Sequence, residues 1–166
     1  MTHSLPKLLL VLAACFGAAT AQAGAVEVTY DAARAHTDAG TTPAQREENL
    51  AALAALLREI GQQRLPATRT LRVELVNVDL TGTVRPSRNS LHDLRVVTGR
   101  ADGPRIELRY TLLDAAGGTI ASGQETLHDP ALPRLGDARD STGGEPLRHE
   151  RTLLDHWVVT RFAAAQ

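Results

Sequence analysis

Residues 105–127 read Arg105-Ile106-Glu107-Leu108-Arg109-Tyr110-Thr111-Leu112-Leu113-Asp114-Ala115-Ala116-Gly117-Gly118-Thr119-Ile120-Ala121-Ser122-Gly123-Gln124-Glu125-Thr126-Leu127. Ile106, Leu108, Tyr110 and Leu112 alternate with Arg105, Glu107, Arg109 and Thr111, the period of two that marks a strand with one buried and one wet face. Asp114 to Gly118 has the composition of a hairpin turn, so Thr119 to Leu127 returns antiparallel. One antiparallel pair with an apolar side and a charged side sets the expectation for the rest of the chain.

Upstream, Ala25 to Tyr30 places Val26, Val28 and Tyr30 on one side and Glu27 and Thr29 on the other, which predicts a first strand. Thr42-Pro43-Ala44-Gln45 offers a capping hydroxyl, proline at the first helical position and glutamine three residues after the cap. Leu50, Leu53, Leu57 and Ile60 then recur at helical spacing, and Gly61 and Pro66 bracket the helix end. From Leu71 the alternation returns, with Leu71, Val73 and Leu75 against Arg72 and Glu74. The phase then reverses through Val76, Val78 and Leu80, which predicts a bulge near Leu75 or burial of both faces. Gly82 to Ser90 reads as a loop and Asp93 to Thr98 as a short strand. Downstream, residues 128–145 are rich in proline, glycine and aspartate and are expected to form an exposed loop. Pro146 opens a second helix in which Leu147, Leu154, Val158 and Phe162 share a stripe, with Leu153 and Trp157 beside it.

This order predicts an α+β fold: a mainly antiparallel sheet of four to five strands with two helices packed on one face. Arg72, Glu74, Arg105, Glu107, Arg109 and Glu125 are expected to stand on the other, open face as a charged lattice.

The N-terminus reads differently. His3 and Lys7 precede the apolar run Leu8 to Ala14, and Ala21-Gln22-Ala23 supplies an A-x-A exit, the pattern of an export signal cleaved between Ala23 and Gly24. The alternative is a lipoprotein box, Leu12-Ala13-Ala14-Cys15, in which Cys15 is lipidated and anchors the chain to a membrane. Ordinary cleavage leaves residues 24–166 as a single α+β domain. It also removes the only cysteine and the only lysine, so 17 arginines face 19 acidic residues, a balance of −2 that lacks the basic excess of a nucleic-acid binder. Thiol, Schiff-base and disulfide chemistry leave with those residues. No later segment approaches the ~18 apolar residues of a membrane-crossing helix.

Catalytic motifs are missing where their spacing can be tested. His149-Glu150 lacks the second histidine of H-E-x-x-H, since position 153 is leucine. His149 and His156 are seven residues apart, roughly 10 Å along a helix, too far to chelate one ion unaided. His92-Asp93 and His128-Asp129 complete a metal site only if their strand ends meet. Ser122 and Ser141 lack the G-x-S-x-G elbow. Gly118 to Gly123 imitates half a phosphate loop but continues with Gln124-Glu125 in place of lysine and a hydroxyl residue. Arg72, Arg105 and Arg109 remain as a candidate recognition face, because guanidinium groups grip carboxylate or phosphate in two-point geometry.

Four blocks, Val26 to Tyr30, Val78 to Gly82, Pro104 to Tyr110, and Leu147 to Arg151 continuing through Leu154 to Trp157, together resemble the bacterial family catalogued as domain of unknown function 3016. The resemblance implies an exported, periplasmic protein of Gram-negative bacteria and carries no activity, cofactor or catalytic residue. His149 stands where that resemblance leads one to expect an aromatic residue, usually tyrosine.

The expected function is a non-enzymatic binding module of the cell envelope. Its partner would be an envelope protein, a glycan or a lipid headgroup, taken through the arginine face or the 128–145 loop, with no cofactor. One alternative is a metal-binding protein or hydrolase built from His92, Asp93, Asp129, His149 and His156. Another is a lipid-anchored assembly or structural protein.

Overall fold

A computed structural model describes residues 24–85, 94–97, 102–129, 131 and 147–163. Its elements run β1 (Ala25–Tyr30), α1 (Pro43–Arg64), β2 (Thr70–Asp79), β3 (Thr83–Arg85), β4 (Leu94–Val96), β5 (Arg105–Leu113), β6 (Thr119–His128) and α2 (Arg148–Val158). A π-helical turn, Val159–Ala163, continues α2. The fold is α+β, with a four-stranded sheet in the order β1-β2-β5-β6 and a separate β3-β4 pair.

The hairpin of β5 and β6 forms as its residues dictate. Asp114 Oδ1 accepts from the N–H groups of Ala116 and Gly118 at 2.9 and 2.8 Å, and Gly117 supplies the left-handed φ of 83° that closes the turn. β2 pairs antiparallel with β5, and its register shifts between Leu75 and Asn77, so the bulge falls where the phase of the alternation reverses. β1 pairs with β2 in parallel. A parallel neighbour needs a crossover, and α1 provides it.

α1 begins as expected: Thr42 Oγ1 accepts from the Gln45 N–H at 3.2 Å and Pro43 takes the first helical position. Its end is further on than the glycine suggests. Gly61 lies inside the helix, which runs to Arg64 with Leu65 as its C-terminal cap. Glycine is needed there for contact rather than for termination, because a Cβ at this position would collide with Val26 Cγ2 on β1. Gly61 therefore sets how closely helix and sheet approach.

The core lies between the sheet and the two helices. Leu50, Leu53, Leu57 and Ile60 of α1, Leu71 and Leu75 of β2, Ile106 and Leu108 of β5, and Leu154 and Val158 of α2 are all at most 2% exposed. Each contributes about 1.5–3 kcal/mol by leaving water. Tyr110, Trp157 and Phe162 meet edge to face with centroids 5.1 to 5.9 Å apart, the arrangement ring quadrupoles favour.

The short strand expected over 93–98 is present as Leu94–Val96, with Asp93 and Thr98 outside the described residues. Two expectations need correction. Thr83–Arg85, read as loop, is the strand β3, paired antiparallel with β4; so short a strand leaves too few residues for alternation to register. Glu125 stands on the helix side of the sheet, not the open side. It pairs with Leu108 in the β5-β6 register, and its carboxylate accepts from Trp157 Nε1 at 3.0 Å and Arg161 Nε at 3.1 Å. An acid can occupy that side because β6 is the sheet edge and because α2 and the π-helical turn after it each bring one donor to it.

The export segment 1–23, most of the 128–145 loop and Pro146 lie outside the described residues. Among the described residues no helix is long and apolar enough to cross a membrane.

Candidate functional site

The open face of the four-stranded sheet carries a polar array in two hydrogen-bonded groups. Alternation in β1, β2 and β5 sends their polar residues to this side, and the register then sets them opposite one another. Glu27 lies beside Arg72, and Glu74 beside Arg109, which in turn lies beside Gln124. Arg72 Nε donates to Glu27 Oε2 at 2.7 Å, and Arg109 Nη1 donates to Glu74 Oε2 at 3.1 Å. Arg109 Nε also donates to Gln124 Oε1 at 3.0 Å, and Gln124 Nε2 donates to Glu107 Oε1 at 2.6 Å. Planar groups thus hold each other in fixed orientations across all four strands.

These pairs are about half exposed, so each adds only about 0–1 kcal/mol to stability. Their main physical effect is orientation. Glu27, Thr29, Arg72, Glu74, Arg109 and Thr111 line a shallow hollow of about 460 Å³ in the face. Two guanidinium groups and two carboxylates cancel in net charge, and two hydroxyls add groups that both donate and accept.

The structure brings only part of the predicted arginine set together. Arg72 and Arg109 line the hollow. Arg105 lies at the end of β5 opposite Asp79, outside it. Burial raises the carboxyl pKa of Asp79, the nearby Asp38 carboxylate raises it further, and Arg95 and Arg105 act against both. Asp38 is held by Arg95, whose Nη1 and Nη2 donate to its two oxygens at 3.1 and 2.8 Å. That clasp fastens β4 to the loop before α1 and leaves Asp38 in a structural role.

Glu27, Thr29, Thr111 and Gln124 complete the site beyond the predicted arginines. Alternation already places Glu27 and Thr29 on the polar side of β1. What it cannot supply is the parallel pairing that puts β1 next to Arg72. Gln124 lacks a signal of its own, since an exposed amide on an edge strand is common.

Of the candidate metal residues, the described ones, Asp129, His149 and His156, are not brought together as a metal site. Among the described residues no group of three or more His, Cys, Asp or Glu side chains could hold a metal ion. His156 is exposed on α2 and His149 is half-buried in its first turn. Asp129 accepts from the Ala131 N–H at 2.8 Å in a local turn beyond β6. His92 and Asp93 lie outside the described residues, as do Ala23 and Cys15, while Gly24 is buried. Ser122 is exposed on β6 opposite Thr111, with no histidine across from it.

Solved structures to which this chain is distantly similar include two of the same protein. One is a single-residue variant of the PelC dodecamer from Paraburkholderia phytofirmans, at TM-score 0.36 and 16% identity, covering 88% of each chain. The other is the PelC dodecamer from the same organism, at TM-score 0.34 and 15% identity, covering 86% of this chain and 88% of that one. No curated protein matches. The model of the family described as Protein of unknown function (DUF3016) matches residues 24–160, and the chain belongs to that family.

Proposed function

We propose that this protein is an exported, non-catalytic binding module of the cell envelope that takes its partner on the open face of the sheet. The observation that carries this reading is the pre-oriented array Glu27–Arg72 and Glu74–Arg109–Gln124–Glu107 around the hollow. Side chains that add little to stability yet hold one another in place give up little further conformational freedom when a partner binds. Both arginines already have carboxylate partners, Glu27 and Glu74, and Glu107 leaves the array with one carboxylate in excess. A partner offering donors and acceptors together, such as a glycan or a polar protein surface, fits this face better than an anionic lipid headgroup, which needs uncompensated cations. The export reading rests on the N-terminal pattern and on a family match that begins at residue 24, directly after the A-x-A exit.

The test compares the wild-type chain with Arg72→Ala/Arg109→Ala by in-cell crosslinking in the native envelope. Loss of two charge-assisted contacts of about 1.5–3 kcal/mol each should lower recovery of the specific partner at least tenfold. Thermal stability should change little. An unchanged set of crosslinked products would overturn the open-face assignment.

A further inference from the structure

β6 is a ten-residue strand at the edge of the sheet. Among the described residues, no strand pairs with its outer side. Edge strands usually carry protection: lysine or proline, a bulge that twists them away, or a very short length. The opposite edge shows such features. β1 has six residues, and Arg58 of α1 donates to its Val28 carbonyl at 3.3 Å. β6 contains no lysine, arginine or proline, and its one bulge is confined to Ile120 beside the turn; from Ala121 to His128 it follows β5 in unbroken register, Leu112–Ala121 to Arg105–His128. Its single formal charge, Glu125, is turned to the helix side and compensated by Arg161.

The strand is also complementary to itself. Ser122, Gln124 and Thr126 are uncharged and exposed on the open face. In an antiparallel pair of β6 strands with Gln124 on the two-fold axis, amide meets amide and Ser122 meets Thr126 of the second copy. On the helix side Glu125 then lies opposite Gly123, which has no side chain, and Leu127 lies opposite Ala121. Large residues meet small ones, and no like charges are opposed.

We infer that β6 is a self-association edge through which two copies form one continuous eight-stranded sheet. The two-fold axis runs perpendicular to the sheet, so both open faces look the same way and both helical layers lie on the other side. This assignment shares Gln124 with the open-face array, but the residues that test it, Ser122 and Thr126, lie outside the hollow.

Sedimentation of the full chain with Cys15→Ser, at about 100 μM, a concentration that populates even a weak dimer, should show a dimer. Ser122→Lys/Thr126→Lys opposes lysines across the axis twice and should weaken the dimer about tenfold or more. Ser122→Glu/Thr126→Lys opposes unlike charges in the same register and should restore it. Circular dichroism melting of both variants establishes that each is folded. A monomeric wild type at that concentration, or a dimer that responds equally to the two variants, would overturn the proposal.

Discussion

The Glu150 carboxylate, in the first turn of α2, accepts a 2.7 Å hydrogen bond from the Thr81 N–H just beyond β2. Both residues are buried, at 3% and 6% exposure. One acid thus ties the C-terminal helix to the strand link that leads into β3. The acid lies in the first turn of the helix. Leu147 before it sits at φ 60° and offers no side-chain cap, so the start of α2 is set by tertiary contacts rather than by a capping residue.

Glu150→Ala should therefore cost about 1–3 kcal/mol, because it leaves a buried N–H without its acceptor. Glu150→Gln keeps an oxygen at that place and should cost distinctly less. Urea unfolding of both variants checks the order. Equal losses would mean that the carboxylate charge matters rather than the acceptor.

Gly61→Ala should destabilise the protein despite alanine's helix preference of about 1 kcal/mol over glycine. The added methyl collides with Val26 on β1, and overpacking of this kind costs about 1–3 kcal/mol. Val26→Ala in the same chain should recover part of the loss, giving a coupling energy in a double-mutant cycle. Purely additive effects would show that the helix moves freely away from the sheet.

Asp79→Asn should stabilise the protein at neutral pH. The folded-state pKa of Asp79 is raised above the ordinary 3.8 by burial and by Asp38. Between those two values the folded chain binds more protons than the unfolded one, so this group makes stability fall as pH rises through the window. The variant removes that penalty. Its advantage should be full above the raised pKa and vanish below about pH 3.8, where the carboxyl is neutral in both states. Thermal midpoints of the two proteins from pH 3 to 7 measure the difference, and parallel profiles would contradict it.

Trp157 is the only tryptophan, buried with its Nε1 donating to Glu125 at 3.0 Å. Glu125→Ala should cost about 1–3 kcal/mol and change the emission of that one fluorophore in the folded state. An unchanged spectrum and unfolding midpoint would remove Glu125 from the core's polar contacts.

Elements were legible where a local pattern alone decides the structure. The β5-β6 turn, the Thr42-Pro43 helix start, the Leu75 bulge and the buried helical stripes all follow from residues close together in the chain. Elements that depend on distant partners were not. Gly61 looked like a helix stop because its reason is Val26, across the crossover. Glu125 looked solvated because its two donors sit on α2 and the turn beyond it. Half the candidate site was visible as Arg72 and Arg109. Its other half waited on the parallel register of β1, which brings Glu27 to Arg72 and which alternation alone leaves open.

Partner capture by the open sheet face is measurable by photo-crosslinking in the native envelope, with a benzophenone residue at Thr111 in the hollow and, as control, at Gln63 on α1. Position 111 should give a discrete adduct that disappears with Arg72→Ala/Arg109→Ala, and position 63 none. An adduct from position 63 with none from position 111 would place the partner on the helical side instead.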